Sequence, residues 1–305
     1  MRARQAPGLL SSVRVPLLFL VLAVSGLVLA AAGTAGPSVR RAELDSRSFT
    51  VMTFNLHHGI DGTSRYNLQR AIDVIARVGP DLVGLQEVTR NHPFYECDDQ
   101  PARLAAGLQR ATGRPWYQVY MKEWSVRKDL ACMQHGRGDG PNTEGLVLLA
   151  PEPIESVSSV KLFNSRLALA GRVRSAGRVV FVTTHLSHGA SRADDRARQV
   201  QEILSWAGRE RSPVVLMGDM NAAANSPELT PVHARYRDAW KAAAAAGASR
   251  GVPGGATLAR GSGRVDYIFH APALRLEWAE SVDTSALLGL HASDHHPVVA
   301  SFLLP

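Results

Sequence analysis

The stretch VVLMGDMNA, residues 214–222, runs four apolar residues straight into an aspartate and an asparagine. A short apolar run bounded by turn-forming residues reads as a buried strand. Taken alone, an Asp or Asn after such a strand is a turn or cap residue. The pattern recurs, however. SFTVMTFNL (48–56) reaches Asn55, DLVGLQEV (81–88) reaches Glu87, and the strand Arg178 to Leu186 reaches His185. Asp266 sits inside RVDYIF (264–269), and Asp294 and His295 precede a last strand, Pro297 to Leu304. Ends of strands in one sheet converge on one edge, and sites form there. Apolar strands that each deliver an ionisable or hydrogen-bonding group therefore point to a shared site.

Working outward, strand-like and helix-like segments alternate. Leu68, Ile72, Ile75 and Ala76 fall on one helical face within residues 67–78, and Gly79-Pro80 stops that helix. A second helix is predicted over 100–112, with Leu104 and Leu108 one turn apart and Gly113 at its end. Residues 116–121 read as a strand and 122–143 as a long polar loop. Strands follow at 145–149, 157–163, 167–173 and 178–186, with Ser175-Ala176-Gly177 as a hairpin turn. Ala193, Ala197, Val200, Leu204 and Ala207 keep helical spacing, and the alanine-rich 237–246 is expected to be helical. Residues 247–263 read as a Gly-rich loop, before strands at 265–269 and 274–278. Many strands with a few helices and no interdomain linker imply one α/β domain of two packed sheets flanked by helices.

Composition bounds the class. Among 305 residues, 45% are hydrophobic and 20% charged, which excludes a disordered chain and a disulfide-dense miniprotein. The formal charge is +7, and Arg2, Arg4 and Arg14 contribute three of it, leaving +4 for the remainder. That permits an anionic partner without demanding one. After those arginines comes VPLLFLVLAVSGLVLAAA (15–32), and Ala30-Ala31-Ala32 or Gly33-Thr34-Ala35 offers small residues for cleavage. Residues 1–35 thus read as a signal peptide or an N-terminal membrane anchor. Either way the expected catalytic domain, residues 40–305, is secreted or held outside the cytoplasm. The two cysteines, Cys97 and Cys132, fit an oxidising compartment and are expected to pair.

The strand-end set contains Asp, Glu, Asn and His but no Cys. Oxygen-rich donors suit a hard cation, Mg2+, Mn2+ or Ca2+, and neither HExxH nor CxxC is present to favour zinc. An acidic site with separate histidines suits a phosphate ester: a cation neutralises phosphoryl charge, one side chain activates water, and a donor meets the leaving oxygen.

MTFNLHHG (52–59), LQEV (85–88), THLSH (184–188), GDMNA (218–222), RVDYIF (264–269) and SDHHPV (293–298) together resemble the endonuclease/exonuclease/phosphatase superfamily, in family order. The resemblance implies a four-layer αββα sandwich with a metal site at one sheet edge. It implies Glu87 as main metal ligand, Asn55 assisting there and Asp294 beside the metal. It implies that Asp219 and Asn221 hold the attacking water and a phosphate oxygen. Asp266 would orient His295 as base or phosphate ligand, and His185 would donate to the phosphate or protonate the leaving group. Either Asp219 or the Asp266–His295 pair serves as base.

Some positions depart from the pattern. His57 stands where relatives often carry an acid, and Glu144 where they often show Asn. His58 and His188 are left outside the catalytic set, and His296 reads as surface or core. The expected substrate is a phosphate ester, with nucleic acid, phospholipid and small molecules all open; no protein partner is inferred. A nuclease is helped by a basic groove, and +4 is a weak footprint. A sphingomyelinase-like lipase wants exposed aromatics, and Trp116, Tyr117, Tyr120 and Trp124 cluster. A binding protein on the same fold is the alternative of another class.

Overall fold

Period-two alternation builds the strands of this protein, and each of their faces is buried against something different. The computed structural model describes residues 48–126 and 130–304; the leading segment read as an export signal lies outside the described residues. In chain order the strands are β1 (Ser48–Asn55), β2 (Leu82–Arg90), β3 (Tyr117–Val126), β4 (Asn142–Ala150), β5 (Ile154–Lys161), β6 (Leu167–Val173), β7 (Val180–His185), β8 (Val214–Asp219), β9 (Arg237–Asp238), β10 (Ser249–Gly251), β11 (Asp266–His270), β12 (Arg275–Ser281) and β13 (Val298–Leu303). The helices are α1 (Leu68–Val78), α2 (Gln100–Thr112), α3 (Ala131–Gln134), α4 (Ala193–Ala207), α5 (Thr230–Arg235), α6 (Ala239–Ala245) and α7 (Thr284–Leu288).

The strands form a seven-stranded sheet, β10-β12-β13-β1-β2-β4-β3, and a six-stranded sheet, β5-β6-β7-β8-β11-β9. Both are mixed: β1 runs parallel to β2, and β7 parallel to β8. Phe49, Val51, Leu82, Leu146 and Leu148 of the first sheet meet Leu169, Phe181, Val215, Met217 and Ile268 of the second in the central core. The alternate residues face outward. Met52, Phe54, Val83, Leu85 and Val147 pack against Ile72, Ile75, Leu104 and Leu108 of α1 and α2. Val182, Leu216, Tyr267 and Phe269 pack against Val200, Ile203 and Leu204 of α4. Three apolar layers between four structural layers make an αββα sandwich.

The helices carry the ends their sequences announce. Gly79 closes α1 at φ +66, and its N–H reaches the Ile75 carbonyl. Asp99 caps α2 by accepting from the Ala102 N–H, and Gly113 ends it. Cys97 and Cys132 form a disulfide.

The region 122–143 is not the uniform loop its polarity suggested. β3 continues to Val126, α3 occupies Ala131–Gln134, and β4 begins at Asn142. β3 is the edge strand of its sheet, so its outer residues stay polar, and a bulge between Lys122 and Trp124 breaks the alternation. β5 lies at Ile154–Lys161 rather than 157–163; it too is an edge strand, with polar residues at most positions. The Gly-rich stretch contains the short β10, and Arg237–Asp238 pair as a strand before α6 begins. The one-turn helices α5 and α7 are too short for a hydrophobic period to reveal. Of the clustered aromatics, Trp116 and Tyr120 pack into the helix-side core, while Tyr117 and Trp124 are exposed. His296 is buried.

Candidate active site

Parallel pairing sets the first half of the site. His185, at the end of β7, lies directly opposite Asp219 at the end of β8, and Asp219 lies opposite Asp266 at the start of β11. Residues opposite one another in a ladder share a face. This is the inner face, since Thr183, Met217 and Ile268, two positions deeper on each strand, lie between the sheets. The pairing at this end needs Gly218: its φ is +143, and a Cβ there would lie 2.0 Å from the Thr184 carbonyl oxygen.

The first sheet reaches the same place by a less regular route. Asn55 ends β1 opposite Gln86. Below them Gln86 donates to the Thr183 hydroxyl at 2.9 Å, so a buried polar contact joins the sheets under the site. Val83, Leu85 and Val88 all face the helices. Glu87 escapes that side because a bulge falls between Leu85 and Val88, with Glu87 at φ +54. The bulge swings its carboxylate to Asn55, whose Nδ2 donates to Glu87 Oε1 at 3.0 Å and Asp219 Oδ2 at 3.1 Å.

The loop before β13 completes the constellation. Ser293 donates to the Asn55 carbonyl at 2.8 Å, tying the loop to β1. His295 Nδ1 meets Asp266 Oδ2 at 2.8 Å, while Nε2 lies 4.0 Å from both Asp219 Oδ2 and Asp294 Oδ1. His185 Nε2 is 3.5 Å from Asp219 Oδ2 and 3.9 Å from Glu87 Oε1. Asn221, at φ +49, folds back so that its N–H donates to Asp219 Oδ1 at 2.8 Å. All eight residues singled out in the sequence therefore lie in one contact network: Asn55, Glu87, His185, Asp219, Asn221, Asp266, Asp294 and His295.

Burial and crowding set their protonation. Asp219 is fully enclosed; burial, then the neighbouring Asp266, push its pKa up to about 7 against the pull of His295 and two N–H donors. Burial disfavours the charged form of His295, but Asp266, Asp219 and Asp294 outweigh it and raise its pKa to about 10. His185 moves the opposite way, well below the usual imidazole range, through burial and the Arg166 charge. Arg166 Nη1 lies 3.1 Å from His185 Nδ1, and a guanidinium only donates. That contact leaves the ring proton of a neutral His185 on Nε2, facing Asp219 and Glu87.

A divalent cation fits this setting. Glu87, Asp219, Asp266, Asp294 and Glu144 bring carboxylate oxygens to one edge, and burial together with Asp266 raises the pKa of Asp219. Glu87 and Asp294 remain partly open to solvent, as an exchangeable ion requires. Oxygen donors without thiol suit a hard ion. Asn55 turns its amide nitrogen to Glu87 and its Oδ1 to the His57 N–H, at 3.0 Å, so its oxygen faces away from Glu87.

A sequence profile described as the endonuclease/exonuclease/phosphatase family matches residues 52–295, spanning every segment of this network. The chain belongs to that family. Solved structures agree. A family member from Beutenbergia cavernae DSM 12333 is similar at 26% identity and TM-score 0.64, over 85% of this chain and 72% of that one. The human Nocturnin catalytic domain with bound sulfate is similar at 21% identity and TM-score 0.58, over 84% and 93%. A mannosyl-6-phosphatase from Bacteroides thetaiotaomicron is similar at 16% identity and TM-score 0.57, over 83% and 99%. No curated protein sequence matches. Enzymes of the endonuclease/exonuclease/phosphatase family hydrolyse phosphoester bonds, and their αββα fold is the one seen here.

Four further side chains belong beside this family site. His58 Nε2 lies 3.3 Å from Glu87 Oε2 and its Nδ1 3.6 Å from Glu144 Oε2. His188 Nδ1 sits 3.1 Å from Asn221 Oδ1. Glu123, with a fully buried side chain, and Glu144 lie within ligand reach of each other and of His185. Burial raises the pKa of each to about 8, Arg166 opposing in both. His58 and His188 were visible as doublets with motif residues, but a histidine beside a motif has no assigned direction. Glu123 carried one faint signal: it continues the inward phase of Val119 and Met121.

Proposed function

We propose that this chain is an exported, divalent-metal-dependent phosphohydrolase that cleaves phosphodiester bonds. The observation that carries the reading is Asp219 fixed between His185 and His295, with Asp266 behind His295. A buried carboxylate with a pKa near neutrality takes a proton from water at ordinary pH. Asp219 is therefore the base, its Oδ1 and Oδ2 held by the Asn221 N–H and the Asn55 amide. His295, charged because three carboxylates surround it, donates from Nε2 to a phosphate oxygen, while Asp266 fixes its ring through Nδ1. His185, neutral with its proton on Nε2, is a second donor, to a phosphate oxygen or to the leaving oxygen as its P–O bond breaks. Asn221 acts through its backbone N–H on Asp219, since its side-chain amide donates to the Leu186 carbonyl and meets His188 rather than facing a phosphate. Glu87 and Asp294 would hold Mg2+, or Mn2+ or Ca2+ in its place, and Asn55 assists by donating its amide N–H to Glu87 rather than as a ligand. When bound, that ion supplies neutralisation of phosphoryl charge.

Export is supported by the apolar leader after Arg2, Arg4 and Arg14, and by the Cys97–Cys132 disulfide, a bond that persists in oxidising compartments. The test is a substrate panel with and without chelator: plasmid DNA, sphingomyelin, bis-p-nitrophenyl phosphate and p-nitrophenyl phosphate. Chelator-sensitive hydrolysis of a diester is expected. Cleavage of the monoester alone, or activity indifferent to chelator, overturns the reading.

A further inference from the structure

The loop that carries Asp294 and His295 is flanked by a second cluster of ligating groups. Asp283, His291 and His296 each present one ligand atom, and these atoms all lie within 4.8 Å of one another. His296 is 95% buried by its 5% relative exposure, and its Nδ1 has no hydrogen-bond partner. The Nδ1 of His291 is likewise buried without one. Two imidazole nitrogens stripped of water and left unpaired in one place form an unstable arrangement, unless something accepts their lone pairs. The two rings pack edge to face, 5.2 Å apart between centroids, and neither Nδ1 is hydrogen-bonded to the other ring.

The carboxylate is also half committed. Asp283 caps α7 through Oδ1 alone, accepting from the Ser285 N–H at 2.9 Å, the Ser285 hydroxyl at 2.7 Å and the Ala286 N–H at 3.2 Å. Oδ2 takes no part in the cap.

We propose that Asp283, His291 and His296 form a site for a borderline transition-metal dication, Zn2+ by chemistry, distinct from the hard-cation site at Glu87. Two imidazoles and one carboxylate oxygen are the donors such an ion takes, with a water completing a tetrahedron. Bonds of about 2.0–2.1 Å at tetrahedral angles place donor atoms about 3.3 Å apart, so closing the observed cluster needs side-chain shifts of about 1.5 Å at most. The ion ties the start of α7 to both ends of the segment 291–296. Asp294 and His295 lie inside that tie, so the ion is a fastener for the catalytic loop and takes no part in the chemistry.

The experiment uses the full chain, freed of metal by chelator and held in saturating Mg2+ to fill the hard-cation site. Zn2+ is titrated calorimetrically into wild type, His291→Gln and Glu87→Gln. Wild type should bind one Zn2+ per chain and gain thermal stability from it. His291→Gln should weaken that binding at least tenfold and lose the gain, whereas Glu87→Gln should keep both. Co2+ in place of Zn2+ should give a tetrahedral ligand-field spectrum that His291→Gln abolishes. If His291→Gln fails to fold, Asp283→Asn, which keeps the helix cap, takes its place with the same expected loss. Absence of Zn2+ binding in wild type overturns the proposal. So does a site lost in Glu87→Gln but retained in His291→Gln.

Discussion

The two sheets supply the site in opposite ways. In the six-stranded sheet, His185, Asp219 and Asp266 stand side by side because three strands pair in unbroken register. In the seven-stranded sheet, Glu87 and Glu123 each sit at a bulge, and Glu87 has a positive φ. A ladder holds its side chains through many shared hydrogen bonds, so their spacing is rigid. A bulge re-aims one side chain at the cost of local pairing. On the reading proposed above, the rigid half carries the groups that would need a fixed distance from a reacting water and phosphate. On the same reading Glu87, at the first bulge, would have an ion as its partner, and an ion tolerates small displacement.

Breaking the ladder half should cost most. Asp219→Asn keeps shape and hydrogen-bond capacity but removes the proton acceptor, so kcat on bis-p-nitrophenyl phosphate should fall by about 10³-fold. Raising Mg2+ should not restore it. A loss below tenfold would move the base elsewhere. Asp266→Asn and His295→Ala should each lose about 10²-fold, and the double variant little more, because a pair acting as a unit is non-additive. Additive losses in that cycle would separate the two residues despite their 2.8 Å contact.

Breaking the bulged half should cost less and respond to the ion. Glu87→Ala should reduce turnover about 10²-fold at fixed Mg2+, with partial recovery as Mg2+ is raised. Asp219→Asn recovering with Mg2+, or Glu87→Ala failing to, would reverse the contrast between the sheets.

The same contrast decides what was legible in the sequence. VVLMGD, RVDYIF and VVFVTTH announce strands whose polar residue keeps the pleat, so period-two reading puts their side chains on the correct face. Glu87 was singled out by its motif, but alternation alone would have sent it toward α1 and α2 with Val83 and Leu85. A bulge is one residue of backbone with no compositional signature; the second one, between Lys122 and Trp124, lies in a stretch that read as loop, although Glu123 keeps the inward phase of its strand. The layers were legible because each depends on many apolar positions, whereas α5 and α7 depend on five or six residues each. Arg166, which sets the His185 tautomer, is a lone charge before an apolar strand and gives no sign of its partner.

The smallest effect concerns the second bulge. Glu123 is buried with both carboxylate oxygens lacking a hydrogen bond, and Arg166 Nη1 stands 3.7 Å away. Burial raises its pKa to about 8 from an ordinary 4.5, against the pull of Arg166. In the unfolded chain Glu123 releases its proton as pH rises past about 4.5, whereas the folded protein keeps it until about 8. The folded state thus binds more protons between those values, and its stability falls as pH rises through that window. One group changes the slope by at most about 1.4 kcal/mol per pH unit. Glu123→Gln supplies a neutral group of the same shape at every pH and removes that component. Urea unfolding of the wild type and Glu123→Gln at pH 5, 6, 7 and 8 should therefore give a stability difference that shifts steadily in favour of the variant as pH rises. A constant difference across the series would mean that Glu123 is ionised throughout, paired to Arg166 as an ordinary salt bridge, and the bulged half would then carry a fixed charge where a proton is expected.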